Sequence, residues 1–400
     1  MRNSLLLAGL LPWSLTACGG GSGVTTAPPP PDVACPGADC PPLSISGDAP
    51  APAGSSGSFR GFADPAIASD PAVPGRIWLA YSWPHVVPGQ APNGSAVQMA
   101  AVGTHLARSD DGGATFSFVG TLWPDVAATD PEGSGENGII SSETPSFATL
   151  SNGSTITWYG AHLRYFLEPK TGYNPKYSTS WHVRIGAAES PTALASAPET
   201  VLGVSTTADV YHPAARLDQL AGLPIQRCAL LNNPALFAQN GTLYLVVECL
   251  AFNGSTLDPA NSTVQVFATV PVGAPTSWTW RYVGLLANQV VASELGHATV
   301  QQPDVSLGAA GRPLLLITPA DIGGSSTTTR IGTGCVALEL DSIDPPVLTR
   351  KGGKLRLDAR IDGSLAGACT HDRNSITGIL ATTQDAGGGN WVVVKSGLQP

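Results

Sequence analysis

The feature that most constrains this chain is a unit that returns four times: a polar residue, a proline, a short apolar run, a turn, then a second apolar run. The first copy is Asp64-Pro65-Ala66-Ile67, followed by Arg76-Ile77-Trp78-Leu79-Ala80-Tyr81. The second is Glu143-Thr144-Pro145-Ser146-Phe147, followed by Ser154-Thr155-Ile156-Thr157-Trp158-Tyr159. The third is Asn232-Asn233-Pro234-Ala235-Leu236-Phe237, followed by Thr242-Leu243-Tyr244-Leu245-Val246-Val247. The fourth is Gln302-Pro303-Asp304-Val305, followed by Arg312-Pro313-Leu314-Leu315-Leu316-Ile317. The prolines at 65, 145, 234 and 303 are 80, 89 and 69 residues apart, so each interval has room for four strands and a long loop. Apolar runs bounded by glycine and proline read as strands, and a proline inside one marks its start or a bulge. A four-stranded unit with two apolar faces cannot bury both alone, so the copies must stack. Stacking around an axis gives a β-propeller.

The expected fold is therefore all-β, a five-bladed β-propeller. Residues 264–269 and 277–283 supply later strands of the third blade, and 335–340 and 347–349 those of the fourth. Residues 379–383 and 390–394 supply strands of the fifth. A sixth blade is left open by residues 211–217, although they begin only 21 residues before the third unit. The termini are expected to close the ring, through residues 43–46 or 57–62. The composition agrees: 46 glycines, 35 prolines and only 12% charged residues suit many short strands and turns.

The N-terminus carries a different message. Arg2 precedes an apolar run at residues 5–11, too short to span a bilayer, and then Leu15-Thr16-Ala17-Cys18. This resembles a bacterial lipobox. The resemblance implies that residues 1–18 are a lipoprotein signal peptide with Cys18 as lipidation site, so membrane lipid becomes a partner through an acylated, for instance palmitoylated, Cys18. Residues 19–42 read as a flexible Gly/Pro-rich tether, and 43–400 as the propeller domain. The implied location is the bacterial cell envelope, lipid-anchored, on the periplasmic or outer surface. No later segment has 18 unbroken apolar residues, so no transmembrane helix is expected.

Six cysteines remain: Cys35, Cys40, Cys228, Cys249, Cys335 and Cys369. An even number in an exported chain suggests three disulfides. Sequence locality suggests Cys35–Cys40, Cys228–Cys249 and Cys335–Cys369, one of 15 pairings. The net charge of −9, with 20 Lys and Arg in no run, excludes a nucleic-acid backbone binder.

Ser109-Asp110-Asp111-Gly112-Gly113-Ala114-Thr115-Phe116 fits the pattern S-x-D-x-G-x-T-[FW]. It resembles the Asp box of sialidases and related BNR-repeat propellers, a structural hairpin turn between third and fourth strands. The resemblance implies a fold role for Ser109, Asp111, Gly113, Thr115 and Phe116. The physical reading agrees, since Asp111 can accept backbone N–H bonds and the glycines can take positive φ.

Chemistry is expected where the inner strands begin, because polar residues from different blades converge there. The candidate catalytic residues are Asp64 as base or nucleophile and Glu143 or Glu248 as acid, since glycoside hydrolysis needs two carboxyls with separated pKa values. The candidate ligand-binding residues are Arg60, His212, Asn233, Gln302, His371 and Asp372. The blade layout resembles five-bladed furanosidase and xylosidase-like glycoside hydrolases, whose base is an Asp opening the first blade, here Asp64. In that family a blade-2 Asp tunes the pKa and orients the substrate and a blade-3 Glu is the acid; this chain has Glu143 where that Asp would be expected, and its strand-associated blade-3 Glu, Glu248, lies at the far end of the second strand. An aromatic-rich loop at 160–181 is expected above this face, and an acidic, glycine-rich insert at 125–142. Three readings stay open: a propeller that binds glycan or a cell-envelope protein without catalysis, a glycoside hydrolase using an Asp/Glu pair, and a scaffold or assembly lipoprotein whose pit holds only solvent. No cofactor is implied. Asp64, Asp304, Asp372 and His371 are hard donors of the kind calcium takes, but no spacing selects it.

Overall fold

The computed structural model describes residues 40–52, 59–90, 94–168, 180–254, 256–323, 330–363, 368–384 and 390–400. They form a five-bladed β-propeller. From the axis outward, blade 1 is Ala63–Ser69, Ile77–Gln90, Ala96–Ser109 and Phe116–Trp123. Blade 2 is Asn137–Asn152, Thr155–Leu167, His182–Ala188 and Glu199–Gly203. Blade 3 is Leu230–Gln239, Thr242–Leu250, Thr263–Thr269 and Arg281–Ala287. Blade 4 is Thr299–Leu307, Pro313–Ile322, Gly334–Ile343 and Leu357–Asp362. Blade 5 is Cys369–Thr370, Leu380–Gln384 and Trp391–Lys395.

The N-terminal part of the domain completes blade 5. Pro42 bridges antiparallel to Val394, and the Leu43 N–H donates to the Val393 carbonyl at 2.7 Å. Gly61 bridges parallel to Trp391 on the same strand, and the Phe62 N–H donates to the Trp391 carbonyl at 2.9 Å. Leu43 and Phe62, from the two segments expected to close the ring, thus reach the last strand, while Ile45–Ser46 pairs parallel to Phe116–Ser117 at the outer edge of blade 1; residues 53–58 lie outside the described set.

The core explains the radial arrangement. Successive residues of one strand serve opposite faces. On the second strand of blade 1, Leu79 and Tyr81 pack with Leu380 and Val393 of blade 5. Trp78 and Ala80 pack with Phe147 and Trp158 of blade 2. The remaining clusters fill the layers between blades 2 and 3, 3 and 4, and 4 and 5. Each sheet is thus apolar on both sides, and only a neighbour on each side removes that surface from water.

The recurring proline has a local cause. The inner-strand register slips between Ala63 and Ala66, Glu143 and Ser146, Asn232 and Ala235, and Gln301 and Asp304. The residues before the prolines are left-handed, with φ of 46° at Asp64, 51° at Thr144, 45° at Asn233 and 54° at Gln302. Such positions cost about 1–3 kcal/mol each for non-glycine residues. The proline has no N–H for the ladder to miss, so the bulge turns the chain toward the axis in four blades alike.

Several elements differ from expectation. Residues 160–167 belong to a strand, because Ala161, Leu163, Tyr165 and Leu167 alternate into the core; residues 169–179 of the expected aromatic loop lie outside the described set. The acidic insert contains a hairpin, Val126–Thr129 paired with residues 137–140. The outer strand of blade 3 starts at Arg281 rather than 277, since Pro275–Ser277 is a 3-10 turn and Trp278 and Trp280 are buried. In blade 4, Pro346–Leu348 pairs only with the end of the third strand, and Leu357–Asp362 covers the rest.

Disulfides join Cys228 to Cys249 and Cys335 to Cys369, with Cα separations of 4.6 and 6.3 Å. The Cys35–Cys40 pairing and Cys18 involve residues outside the described set. Among the described residues no helix is long and apolar enough to cross a membrane.

Candidate active site

The pit is built where the bulges bring the starts of the inner strands together. Asp64 opens blade 1. Its carboxyl accepts hydrogen bonds from the Ser82 hydroxyl and the Ala368 backbone N–H, and its own N–H donates to Thr382 Oγ1 at 3.0 Å. Burial pushes this carboxyl up to about 6, against the two hydrogen bonds, which favour the charged form. Ser82 also accepts the Thr144 N–H at 3.0 Å, so one hydroxyl ties the openings of blades 1 and 2.

Glu143 stands one residue before the left-handed Thr144. Burial first, and the charge of Asp64 second, push its carboxyl up to about 8. The Tyr165 hydroxyl donates to Glu143 Oε2 at 3.1 Å and opposes that rise. Tyr165 is fully buried and stacks on Trp181 at 4.6 Å, which fixes its hydroxyl. Asp64 and Glu143 both keep some exposed surface, so the pit remains open to water.

Below Asp64 the axis narrows. Pro65, Pro145, Pro234, Pro303 and Cys369 surround a void of about 20 Å³ that Asp64, Thr144, Asn233 and Asp304 also line. Beyond it lies a second cavity of about 210 Å³, lined by Ser69, Asp304, Ser306, Thr370, His371 and Asp372 among others. Asp304 borders both spaces, and burial pushes its carboxyl up to about 7 against hydrogen bonds from Thr370 and the Val305 N–H.

The structure therefore divides the sequence candidates. Asp64, Glu143 and Asn233 lie at the pit and its floor. Gln302 takes the equivalent pre-proline position in blade 4, and its Oε1 is buried with no partner among the described residues. Arg60 lies beside the closing strand, where its carbonyl accepts the Trp391 N–H, and its Nε is buried with no partner among the described residues. Glu248 is fully buried, but both oxygens are engaged, one by the Arg330 guanidinium and the other by Asn232 Nδ2 at 3.1 Å. His371 and Asp372 belong to the far cavity. His371 bonds Ser306 at 3.3 Å and Gln399 at 3.1 Å, and Asp372 accepts the Ser69 N–H at 2.6 Å. The inner strand of blade 5 starts so late that these two fall beyond the floor. His212 is exposed at the outer part of blade 2, where the ring of neighbouring Tyr211 packs tilted against His182, centroids 4.0 Å apart. Among the described residues no group of three or more His, Cys, Asp or Glu is placed to hold a metal ion.

The 109–116 segment lies away from the axis, between the third and fourth strands of blade 1. Asp111 accepts from Ser109 at 2.6 Å, the Thr115 N–H at 2.9 Å and the Thr115 hydroxyl at 2.6 Å, which hold its carboxyl down at about 2. Gly113 donates to Ser109 Oγ at 2.8 Å, with φ of 97°, and Phe116 is buried. Ser82, Tyr165 and the Ala368 N–H are the partners that sequence reasoning missed. A serine, a strand tyrosine and a backbone amide carry no motif; only their position beside Asp64 and Glu143 gives them a role.

No protein-family model matches the chain, and no curated protein resembles it significantly. Solved structures similar to it are glycoside-hydrolase propellers. They include a xylan β-1,4-xylosidase from Bacillus halodurans, at 13% identity and a TM-score of 0.40 over 79% of this chain and 45% of that one. An α-L-arabinanase from Penicillium chrysogenum shares 14% identity, with a TM-score of 0.41 over 84% and 82%. A glycoside hydrolase assigned in Parabacteroides distasonis shares 12%, with a TM-score of 0.44 over 85% and 87%. The chain spans less than half the length of the xylosidase. Likeness at this level concerns the fold.

Proposed function

We propose that this protein hydrolyses a glycosidic bond in the pit, with Asp64 as base or nucleophile and Glu143 as general acid. One arrangement carries the reading: Asp64 and Glu143 stand at matching bulges of neighbouring inner strands, where burial pushes Asp64 up to about 6, and burial with the nearby Asp64 charge pushes Glu143 up to about 8. Between those values Asp64 is charged and Glu143 keeps its proton, which is the division of labour that cleavage between two carboxyls requires. The two are also coupled. As Asp64 loses its charge, by bonding to the sugar or taking a proton from water, the main electrostatic hold on the Glu143 proton weakens. Tyr165 then stabilises the carboxylate that remains. Gln302 Oε1 and Arg60 Nε, an acceptor and a donor without partners among the described residues, are of the kinds that bond sugar hydroxyls. Glu248 fits the acid role less well, because Arg330 and Asn232 occupy its oxygens.

The amides Asn233 and Gln302 favour a second reading, glycan capture without turnover. A glycan-array screen of the chain from Asp32 onward, followed by hydrolysis assays on the hits, separates the two. Turnover by the wild type, with binding but no turnover by Asp64→Asn, supports the hydrolase. Binding by the wild type without turnover leaves capture alone. We also place the protein at the cell envelope through a lipidated Cys18; Cys18→Ala is then expected to move it from the membrane to the soluble fraction.

A further inference from the structure

Blade 5 differs from the others at the axis. The inner strands of blades 1 to 4 contain 7, 16, 10 and 9 residues, whereas that of blade 5 contains 2, Cys369 and Thr370. It has no X–Pro bulge and is held to its own sheet through Cys369 opposite Ala381, Thr370 opposite Leu380, and the Thr382 N–H, which donates to the Ala368 carbonyl at 3.3 Å. Yet this short piece and the residue before it sit against two carboxyls. Ala368 and Cys369 line the same void as Asp64 and Asp304, where the Ala368 N–H favours the charged form of Asp64 and the Thr370 hydroxyl that of Asp304. Thr370 Oγ1 also accepts the Ile67 N–H at 3.4 Å, on the inner strand of blade 1.

Beside these few backbone bonds, the strand has a covalent tie. Cys369 is bonded to Cys335 on the third strand of blade 4, and both are fully buried in the layer between blades 4 and 5. The other disulfide is differently placed. Cys228–Cys249 lies within blade 3, beside a long ladder between Leu230–Gln239 and Thr242–Leu250 that already fixes both ends.

We infer that the Cys335–Cys369 disulfide is a positioning element for the active site, holding the inner strand of blade 5 where the Ala368 N–H reaches Asp64. The inference builds on the role proposed for Asp64, and its chemistry is electrostatic. A backbone N–H aimed at a carboxylate favours the charged form. A base that has lost this donor holds its proton to higher pH, and less of it is ready at a given acidity.

The test reads Asp64 directly. The mature chain is labelled with ¹³C at aspartate carboxyls, the Asp64 resonance is assigned by its absence in Asp64→Asn, and its titration is followed by NMR. The samples are the wild type oxidised, the wild type reduced under conditions that keep its circular dichroism, Cys335→Ala/Cys369→Ala, and Cys228→Ala/Cys249→Ala. Breaking Cys335–Cys369 is expected to raise the pH at which Asp64 titrates, lowering its ionised fraction at pH 5 about tenfold. Removing Cys228–Cys249 is expected to cost stability without moving Asp64. An unmoved Asp64 in folded Cys335→Ala/Cys369→Ala, or an equal movement in the blade 3 variant, overturns the inference. Should the double variant not fold, Ala368→Pro keeps both cysteines and removes the donor; an unmoved Asp64 there, with circular dichroism unchanged, overturns it as well. None of these readings needs turnover. Absence of hydrolysis would count against the proposed activity, and an unmoved Asp64 in an active enzyme against the disulfide.

Discussion

Glu143 and Glu248 are both withdrawn from bulk water in adjacent blades, and they live in opposite electrostatic settings. Glu143 has a tyrosine hydroxyl for a partner and the Asp64 carboxyl for a neighbour, so burial and like charge leave it protonated up to about pH 8. Glu248 has an arginine on one oxygen and an amide on the other, and Arg330 comes from the adjoining blade. Depth alone does not make a catalytic acid. A carboxyl deprived of water and of a cation keeps a proton it can give away, whereas one deprived of water but given a cation becomes a clamp between sheets.

The widest gap between the two should show in turnover. Glu143→Gln and Asp64→Asn are each expected to lower kcat by about 10²–10⁴, the usual worth of a positioned acid or base, with the fold intact by circular dichroism. A kcat within tenfold of wild type for either variant removes the pit as the catalytic centre. Stability should show the reverse order. Arg330→Met strands the buried Glu248 and is expected to cost about 3–5 kcal/mol in urea unfolding; a loss below 1 kcal/mol would mean that the pair is no clamp.

The pH dependence of stability gives a smaller effect with a definite sign. Glu143 holds its proton more tightly folded than unfolded, so its contribution is fully present below about pH 4.5 and is lost as pH rises through about 8. Glu143→Gln should therefore gain about 1–2 kcal/mol over wild type at pH 8 relative to pH 5, discounted for the water that reaches the pit. Equal pH slopes for variant and wild type would show that Glu143 is already ionised. The smallest effect belongs to Tyr165→Phe. Losing one hydrogen bond worth about 1 kcal/mol should lower kcat several-fold and move the alkaline limb of the pH–rate profile upward, because that bond favours the ionised Glu143. A downward shift would contradict the assignment of the limb.

The sequence exposed the blade count because the X–Pro bulge is a local event with a local signature. Proline at 65, 145, 234 and 303 marks each inner strand whatever surrounds it, and Asp64 and Glu143 could be read as neighbours of that mark. Blade 5 lacks the bulge, so no such mark locates its residues. Analogy with the other blades puts His371 and Asp372 beside Asp64, but a two-residue inner strand carries them to the far cavity. Tyr165 was hidden for another reason. A run of Tyr, Phe and His after a glycine suggests a loop, and only the period-two alternation of Ala161, Leu163 and Tyr165 shows a strand. The partner of Glu248 was not legible at all, since Arg330 lies 82 residues away on another blade.

The way the ring is shut has a consequence for how the molecule comes into being. Residues 42–43 and 61–62 find their partners only on Trp391–Lys395, so the first sheet edge made waits for nearly the last strand threaded out. Until then blade 5 lacks its outer edge, and the apolar layer joining Leu79 and Tyr81 to Leu380 and Val393 stands open. Contacts so distant along the chain form slowly and leave sticky surface bare in the meantime. For this protein, the hazard of clumping during synthesis is set by the time between the emergence of Pro42 and that of Val394.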